Sequence, residues 1–275
     1  MTEPIFELVP NLSEGRSAKT IEEARDAIEG CGAKVLHSTS DAMHNRSVIT
    51  AAGSAAAVLD AAVALVGVAC ERIDLRRHSG VHPRMGALDV LPFVPLLGAT
   101  MAQAADLAHE AGRRIWEAHR VPSFYYGEAA LDPQRRLLAD VRPHPAGGPD
   151  TGDAFHPTAG AIAIGARGVL IAFNIELETT DLQAGRRIAR LIRERNGGLR
   201  TLRALAFALA DGCVQLSFNI TDERATPLYR VVQVARTLAR DHGIAVRGCE
   251  LVGCIPRAAV VSAALYGLGV EDPSI

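Results

Sequence analysis

Two histidines, three arginines and two aspartates stand between Asp74 and Asp89, in the run Asp-Leu-Arg-Arg-His-Ser-Gly-Val-His-Pro-Arg-Met-Gly-Ala-Leu-Asp. Imidazole, with an unperturbed pKa of about 6.5, can give or take a proton near neutral pH, so His78 and His82 are candidates for general acid/base work. Asp74 and Asp89 are candidates to orient one of the rings, and Pro83 fixes the backbone directly after His82. Arg84 is a candidate anion clamp, because a planar guanidinium meets a carboxylate through two parallel hydrogen bonds. A metal site reads poorly here. No carboxylate or cysteine stands at a convincing third-ligand spacing, and the helical H-E-x-x-H arrangement is missing.

Three other stretches could contribute. Val9-Pro10-Asn11-Leu12-Ser13-Glu14-Gly15-Arg16 is either a plain turn into a helix or a substrate rim, with Asn11 and Arg16 as donors to a carboxylate. In Asp41–Ser47, His44 is expected to be solvated, whereas Asn45-Arg46 could point a guanidinium into a shared cleft. Thr151-Gly152-Asp153-Ala154-Phe155-His156-Pro157-Thr158-Ala159-Gly160 is, by composition, a flexible loop. Dinucleotide and ATP enzymes are disfavoured by the lack of a G-x-G-x-x-G or P-loop pattern, and serine hydrolases by the lack of a G-x-S-x-G elbow.

The elements that must position these residues follow from periodicity. Pro4–Val9 reads as a strand, and Arg16–Gly30 as a helix with Ile21, Ala24 and Ile28 on one face, capped by Thr20 with Glu23 and stopped at Gly30. Strands are expected over Lys34–Ser38 and Arg46–Gly53, then a helix capped by Ser54, a strand near Ala87–Leu96, a helix capped by Thr100 and Gln103, and a strand over Val121–Tyr126. Leu137–Phe155 is broken by proline and glycine and reads as a loop. The order then repeats: a strand over Gly168–Glu176, a helix capped by Thr179-Thr180-Asp181 and a two-residue hairpin at Asp211-Gly212. A helix opened by Thr226-Pro227, a strand over Ile244–Leu251 and a last helix from Pro256 complete it. The expectation is an α/β chain of the α+β sandwich type: two consecutive βαββαβ-like subdomains, residues 1–177 and 178–275, with mixed sheets covered by helices.

Composition sets the outer limits. The chain has 275 residues, 48% of them hydrophobic, enough for a sizeable core. A net charge of −2 gives no basic field for nucleic acid. Lys19 and Lys34 are its only lysines, so any anion site must be built from arginine. Five cysteines without a C-x-x-C pair point to neither a disulfide scaffold nor a structural zinc. The N-terminus lacks a basic segment followed by an apolar one, so no signal peptide is expected. The apolar run Ala51–Cys70 is interrupted by Gly53, Ser54, Asp60 and Gly67 and reads as a buried helix, not a membrane span. A soluble, cytoplasmic protein is expected, with neither nucleic acid nor membrane as a partner.

Several of these motifs together resemble the formiminotransferase family, nearly end to end. The resemblance is carried by Val9-Pro10-Asn11 with Ser13-Glu14-Gly15, by His44-Asn45-Arg46-Ser47-Val48, and above all by His78-x-Gly80-x-His82-Pro83-Arg84-Met85-Gly86-Ala87-Leu88-Asp89-Val90. It continues through Tyr126-Gly127-Glu128-Ala129-Ala130, Ala172-Phe173-Asn174, Val214-Gln215 and Glu250-Leu251-Val252-Gly253. It implies a homodimer that moves a formimino group from N-formimino-L-glutamate to tetrahydrofolate as co-substrate; no metal is expected, as the ligand spacing already suggests. The residue matching His82 is the family's acid/base, and the stretch from Thr151 to Gly160 contributes to its folate site. Some positions depart from the family's pattern. His37 and Thr39 stand where an acidic pair is usual, Val141-Arg142 runs directly into the proline/glycine loop, and Ala159 and Glu176 replace an aromatic and an asparagine. Two alternatives accommodate these departures: a member acting on a different amine or formimino donor, and a catalytically silent folate-binding protein.

Overall fold

A computed structural model describes residues 3–80, 84–141, 147–209 and 211–270, which fall into two compact units, one up to Gly168 and one from Val169. The division comes earlier than the expected boundary at residue 177, because the strand Ile171–Leu177 is an inner strand of the second unit's sheet.

The first unit contains β1 (Ile5–Leu8), β2 (Asn11–Leu12), α1 (Ala18–Gly30), β3 (Lys34–Asp41), β4 (Arg46–Ser54), α2 (Ala55–Arg72), β5 (Leu88–Pro95), α3 (Met101–His119), β6 (Ser123–Gly127), α4 (Leu138–Val141) and β7 (Ile162–Ala166). The strands form one mixed sheet. β3, β4, β1 and β5 pair antiparallel in that spatial order, with β2 prolonging β1 between β4 and β5. β7 and β6 then add in parallel beyond β5. α1, α2 and α3 bury one face over Phe6, Leu8, Leu12, Ile49, Leu91 and Phe93. On the opposite face a smaller cluster of Met85, Val90, Phe124, Tyr126 and Val141 covers the β5-β7-β6 end.

Local chemistry places most of these elements. Ser54 caps α2 by accepting from the Ala57 amide, and Thr100 with Gln103 forms a full capping box on α3. α1 begins at Ala18, two residues after the expected Arg16, and Ser17, not Thr20, accepts at its cap. Gly30 stays helical, and Gly32 takes the left-handed conformation after it. β7 has no counterpart in the sequence reading. Its small residues, Ile-Ala-Ile-Gly-Ala, show no alternation because both faces are buried, as in the parallel part of a sheet.

The second unit runs β8 (Ile171–Leu177), α5 (Leu182–Ile192), β9 (Leu202–Ala208), β10 (Val214–Ile220), α6 (Leu228–Asp241), β11 (Val246–Val252) and α7 (Arg257–Gly267). Its sheet is wholly antiparallel, in the order β11-β8-β10-β9, where a mixed sheet was expected. Phe173, Ile175, Leu216, Phe218 and Val231 lie in the core between this sheet and its helices. The strands of the Asp211-Gly212 hairpin stop at Ala208 and Val214, leaving a longer connection than a two-residue turn. With β1 and β2 counted as one strand, the first four strands of both units take the spatial order second-third-first-fourth, so the repeated element order extends to topology. Among the described residues, no helix is long and apolar enough to cross a membrane.

Candidate functional site

Asn11, Arg46 and Asp89, three of the residues singled out by sequence, meet on the face of the first sheet opposite α1, α2 and α3, at the end where β2, β4 and β5 join. Arg46 opens β4 and reaches across the face. Its Nη1 donates to Asp89 Oδ2 at 2.8 Å, and its Nη2 donates to Asn11 Oδ1 at 2.6 Å. Asp89 is fully buried, and its other oxygen accepts the Met85 amide at 2.8 Å. Its position follows from a β-bulge: Asn11 pairs with Val90 but Leu12 pairs with Leu88, leaving Asp89 as the extra residue on β5. Bulges of this kind re-aim a side chain next to a site.

Asn45 carries the next layer. It is buried, has φ +47° and so occupies the left-handed region that asparagine tolerates better than most residues. Its Oδ1 accepts the Gly15 amide at 2.9 Å, while its Nδ2 donates to the Ser79 carbonyl at 3.0 Å. One side chain thereby ties the loop after β2 to the stretch before residue 81. Gly15 and Gly80 fit only because they lack a Cβ: a methyl on Gly15 would lie 2.2 Å from the Asp41 carbonyl oxygen, and one on Gly80 would lie 2.5 Å from that of His44.

Arg84 secures the other side of this stretch. Its Nη2 donates to the His44 carbonyl at 3.0 Å, and its Nη1 to the Asn45 carbonyl at 3.2 Å. The same Nη1 lies 2.7 Å from His78 Nδ1 and 2.8 Å from Nε2. A guanidinium can donate only to an unprotonated ring nitrogen, so this contact favours neutral His78. Burial and then the charge of Arg84 push the His78 pKa down, in the same sense. Neither aspartate orients that ring. Asp74 pairs with Arg76 and Asp89 with Arg46, because each has a guanidinium within closer reach. His82, with Val81 and Pro83, lies outside the described residues.

An open cleft of about 570 Å³ lies over Asn45, His78 and Ser79, with Arg16, Arg72 and Arg77 along its rim. Arg16 donates to the Ala42 carbonyl and to Ser79 Oγ, and Arg72 is paired with Glu23. This rim suits a carboxylate. His44 stands apart, half exposed, with Nδ1 2.7 Å from Asp41 Oδ2. Burial pushes the Asp41 carboxyl up, but hydrogen bonds from His44 and Met43 outweigh it and leave the pKa below the ordinary value.

The stretch from Thr151 to Gly160 is built, not flexible. The amide and carbonyl of His156 bond those of Gly160 at 2.8 and 2.9 Å, and His156 Nδ1 accepts the Ala159 amide at 3.0 Å. The turn is then stitched to the motif: Ala87 N donates to Ala159 O, Ala161 N to Met85 O and Leu75 N to Thr158 O. Composition could not reveal this, since the partners are distant in sequence. At its other end, Thr151 bonds the Tyr125 hydroxyl at 2.8 Å, and Gly152 packs on Trp116. Asp153, Ala154, Phe155 and Pro157 are exposed.

Sequence reasoning passed over three residues that shape the site. Ser13 is buried and donates to the Gly86 carbonyl at 2.7 Å. Arg135 and Asp150 form a buried ion pair at 3.0 Å that holds the start of the Thr151 stretch against β6. Only Ser13 had a signal, through its place in the Pro-Asn-x-Ser-Glu-Gly run. Of the departing positions, Thr39 pairs with Val48, which pairs with Asn11, so Thr39 shares the face of Asn11. His37 lies on the same face opposite Thr50. Glu176 is ion-paired with Arg247 at 3.7 Å in the second unit.

The N-terminal subdomain of the formiminotransferase domain matches residues 5–167, and the formiminotransferase domain matches residues 172–275. The glutamate formimidoyltransferase of Thermoplasma acidophilum is 39% identical over 96% of this chain and 92% of its own length. That of Streptococcus pyogenes serotype M1 is 37% identical over 98% and 94%. The formimidoyltransferase-cyclodeaminase of Gallus gallus is 38% identical over 97% of this chain, but the match covers only 53% of that longer protein. The chain belongs to the formiminotransferase family and is a transferase.

Proposed function

We propose that the protein is a glutamate formimidoyltransferase that moves the formimino group of N-formimino-L-glutamate to N5 of tetrahydrofolate, in histidine degradation and one-carbon metabolism. In this reading the N5 amine adds to the formimino carbon, and the bond from that carbon to the glutamate nitrogen then breaks. One proton leaves N5 and one arrives on the departing glutamate nitrogen. His82 carries that proton as general acid/base, a role suited to imidazole. Holding both reactants side by side makes the addition effectively unimolecular, the larger part of the acceleration in such a reaction. Arginines on the rim of the cleft, Arg16 and Arg77 among them, would hold the carboxylates of glutamate and folate. The reading also carries the family's homodimeric, cytoplasmic character and a folate-contacting role for the Thr151–Gly160 turn.

The observation that carries the proposal is how firmly the chain is held on both sides of residues 81–83. Asn45 holds Ser79, and Arg84 is anchored to the carbonyls of residues 44 and 45. Such supports are what a catalytic side chain needs if it is to be aimed within a fraction of an ångström. The test is formation of 5-formiminotetrahydrofolate by wild type and His82→Ala. Turnover in wild type that falls by a factor of about 100 or more in the variant fits the proposal, and equal turnover ends the role given to His82.

The second reading, a family member specialised for another amine or formimino donor, draws on Thr39, which presents a hydroxyl on the site face where an acid is usual. Tetrahydrofolate binding without turnover of formiminoglutamate would favour it.

A further inference from the structure

Glu7 lies in the middle of β1, between Phe6 and Leu8, both of which are buried against the helices. Alternation along the strand therefore turns Glu7 to the opposite face, the one that presents Asn11 and Arg46. Its direct neighbours across the sheet are apolar: Ala52 on β4 and Val94 on β5. Glu7 is partly buried, and among the described residues its carboxylate makes no hydrogen bond or ion pair. Burial pushes its pKa up, and the charge of Arg167 offsets this only in part.

A half-buried, unpartnered carboxylate weakens a fold, since its charge gives up hydration without a compensating contact. Strand formation does not need an acid here, because glutamate is a poor β-former and its neighbours are alanine and valine. Local rules broken in this way mark functional positions. Its placement points the same way. Glu7 is four residues from Asn11 on the same edge-to-edge line of β1 and β2, about 13 Å at 3.3 Å per residue. Between them lie Thr50 and His37 on the same face. Arg46, Asn11 and Asp89 thus stand at one end of this line, and a carboxylate without a hydrogen bond stands at the other.

We infer that Glu7 is a substrate-binding residue, whose two carboxylate oxygens accept the paired N–H groups of a planar amidine or aminopyrimidinone laid along this face. The inference rests on the proposed function and deepens it, because both reactants carry that chemistry. The formimino group is an amidine, and the ring of tetrahydrofolate presents an N–H beside an amino group. Accepting both donors at once gives the directionality of a bidentate pair.

The experiment is steady-state kinetics and thermal unfolding of wild type, Glu7→Gln and Glu7→Ala, with formiminoglutamate and tetrahydrofolate varied separately. KM for one substrate should rise tenfold or more in both variants, while the other stays within twofold. The substrate affected identifies which group Glu7 holds. The unfolding temperature of Glu7→Gln should stay the same or rise, since an unpaired charge is removed without change of shape. Values of KM within twofold for both substrates overturn the inference and leave the proposed function standing. So does a fall of several degrees in unfolding temperature with KM unchanged, because that marks a structural acid. Wild type that turns over neither substrate defeats the proposed function, and the inference with it.

Discussion

Arg46 and Asp89 meet across three strands, Nη1 to Oδ2 at 2.8 Å, with Asp89 fully buried and Arg46 13% exposed. The pair fixes β4 to the bulge in β5, and its other contacts, Asn11 and the Met85 amide, reach the β2 loop and the segment after Arg84. Breaking a buried pair from one side leaves an uncompensated charge at a cost of about 3–5 kcal/mol. Arg46→Met should lower stability by that order in denaturant unfolding and abolish turnover. The double variant Arg46→Met with Asp89→Leu should recover much of the stability but none of the activity. A single variant as stable as wild type would show that the pair does not hold the site together.

Asn45 combines a left-handed backbone with two side-chain bonds, and two substitutions separate these roles. Asn45→Gly keeps the backbone freedom but loses both bonds, leaving the Gly15 amide and Ser79 carbonyl to find other partners. Asn45→Ala loses the bonds and adds backbone strain of about 1 kcal/mol or more. Unfolding midpoints should therefore rank wild type, then glycine, then alanine. Both variants should lose at least tenfold in kcat.

His78 supplies a pH test. Burial, and after it the charge of Arg84, hold its pKa below the ordinary histidine value. As pH falls below about 6.5, the unfolded chain takes up this proton before the folded one. His78 therefore lowers stability on the acid side, starting near that pH and levelling off once the folded-state pKa is passed. NMR titration should place the His78 midpoint below about 6.5 and move it upward in Arg84→Met. His78→Gln should lose less stability than wild type between pH 6.5 and 5. A midpoint above 6.5 in wild type would contradict the Arg84 contact.

Gly86 and Gly160 carry the join between the motif and the Thr151–Gly160 turn. A Cβ on Gly86 would lie 2.1 Å from the Ala161 carbonyl oxygen, and one on Gly160 2.1 Å from that of Met85. Backbone cannot yield as a side chain can, and Gly160 also has φ +71°. Gly86→Ala and Gly160→Ala should each cost about 2 kcal/mol or more, in the range of strained or overpacked sites. Gly148→Ala, with open space around it, should be silent. Equal unfolding midpoints for all three would mean that the turn is not held as described.

Thr39→Asp tests the departure on β3. It places a carboxylate on the face shared with Asn11, at an exposed position that tolerates the change. Under the proposed function it should raise kcat/KM for formiminoglutamate about tenfold, a modest share of what a positioned acid supplies. No change would favour the reading that this chain uses another donor.

Local chemistry made much of this protein legible from its sequence. Caps at Ser54, Thr100 and Asp181 are local, because a side chain and the amide it accepts lie within three residues of each other. The alternating Ile171–Leu177 and the two βαββαβ passages follow from periodicity in the same way. The run from His78 to Asp89 stood out because its chemistry is dense and improbable by chance. What lay beyond it was non-local. β7 looks like loop, because its small residues are buried on both faces and signal no side. The Thr151–Gly160 turn looks flexible until its bonds to Leu75, Met85 and Ala87 are seen. The Arg84 guanidinium reads as an anion clamp in isolation, yet its described bonds run to the carbonyls of residues 44 and 45 and to His78. Sequence alone singled out which residues have the chemistry to form a site. Tertiary structure decided which of them meet, because a bulge at Asp89 and a left-handed turn at Asn45 bring together groups more than thirty residues apart.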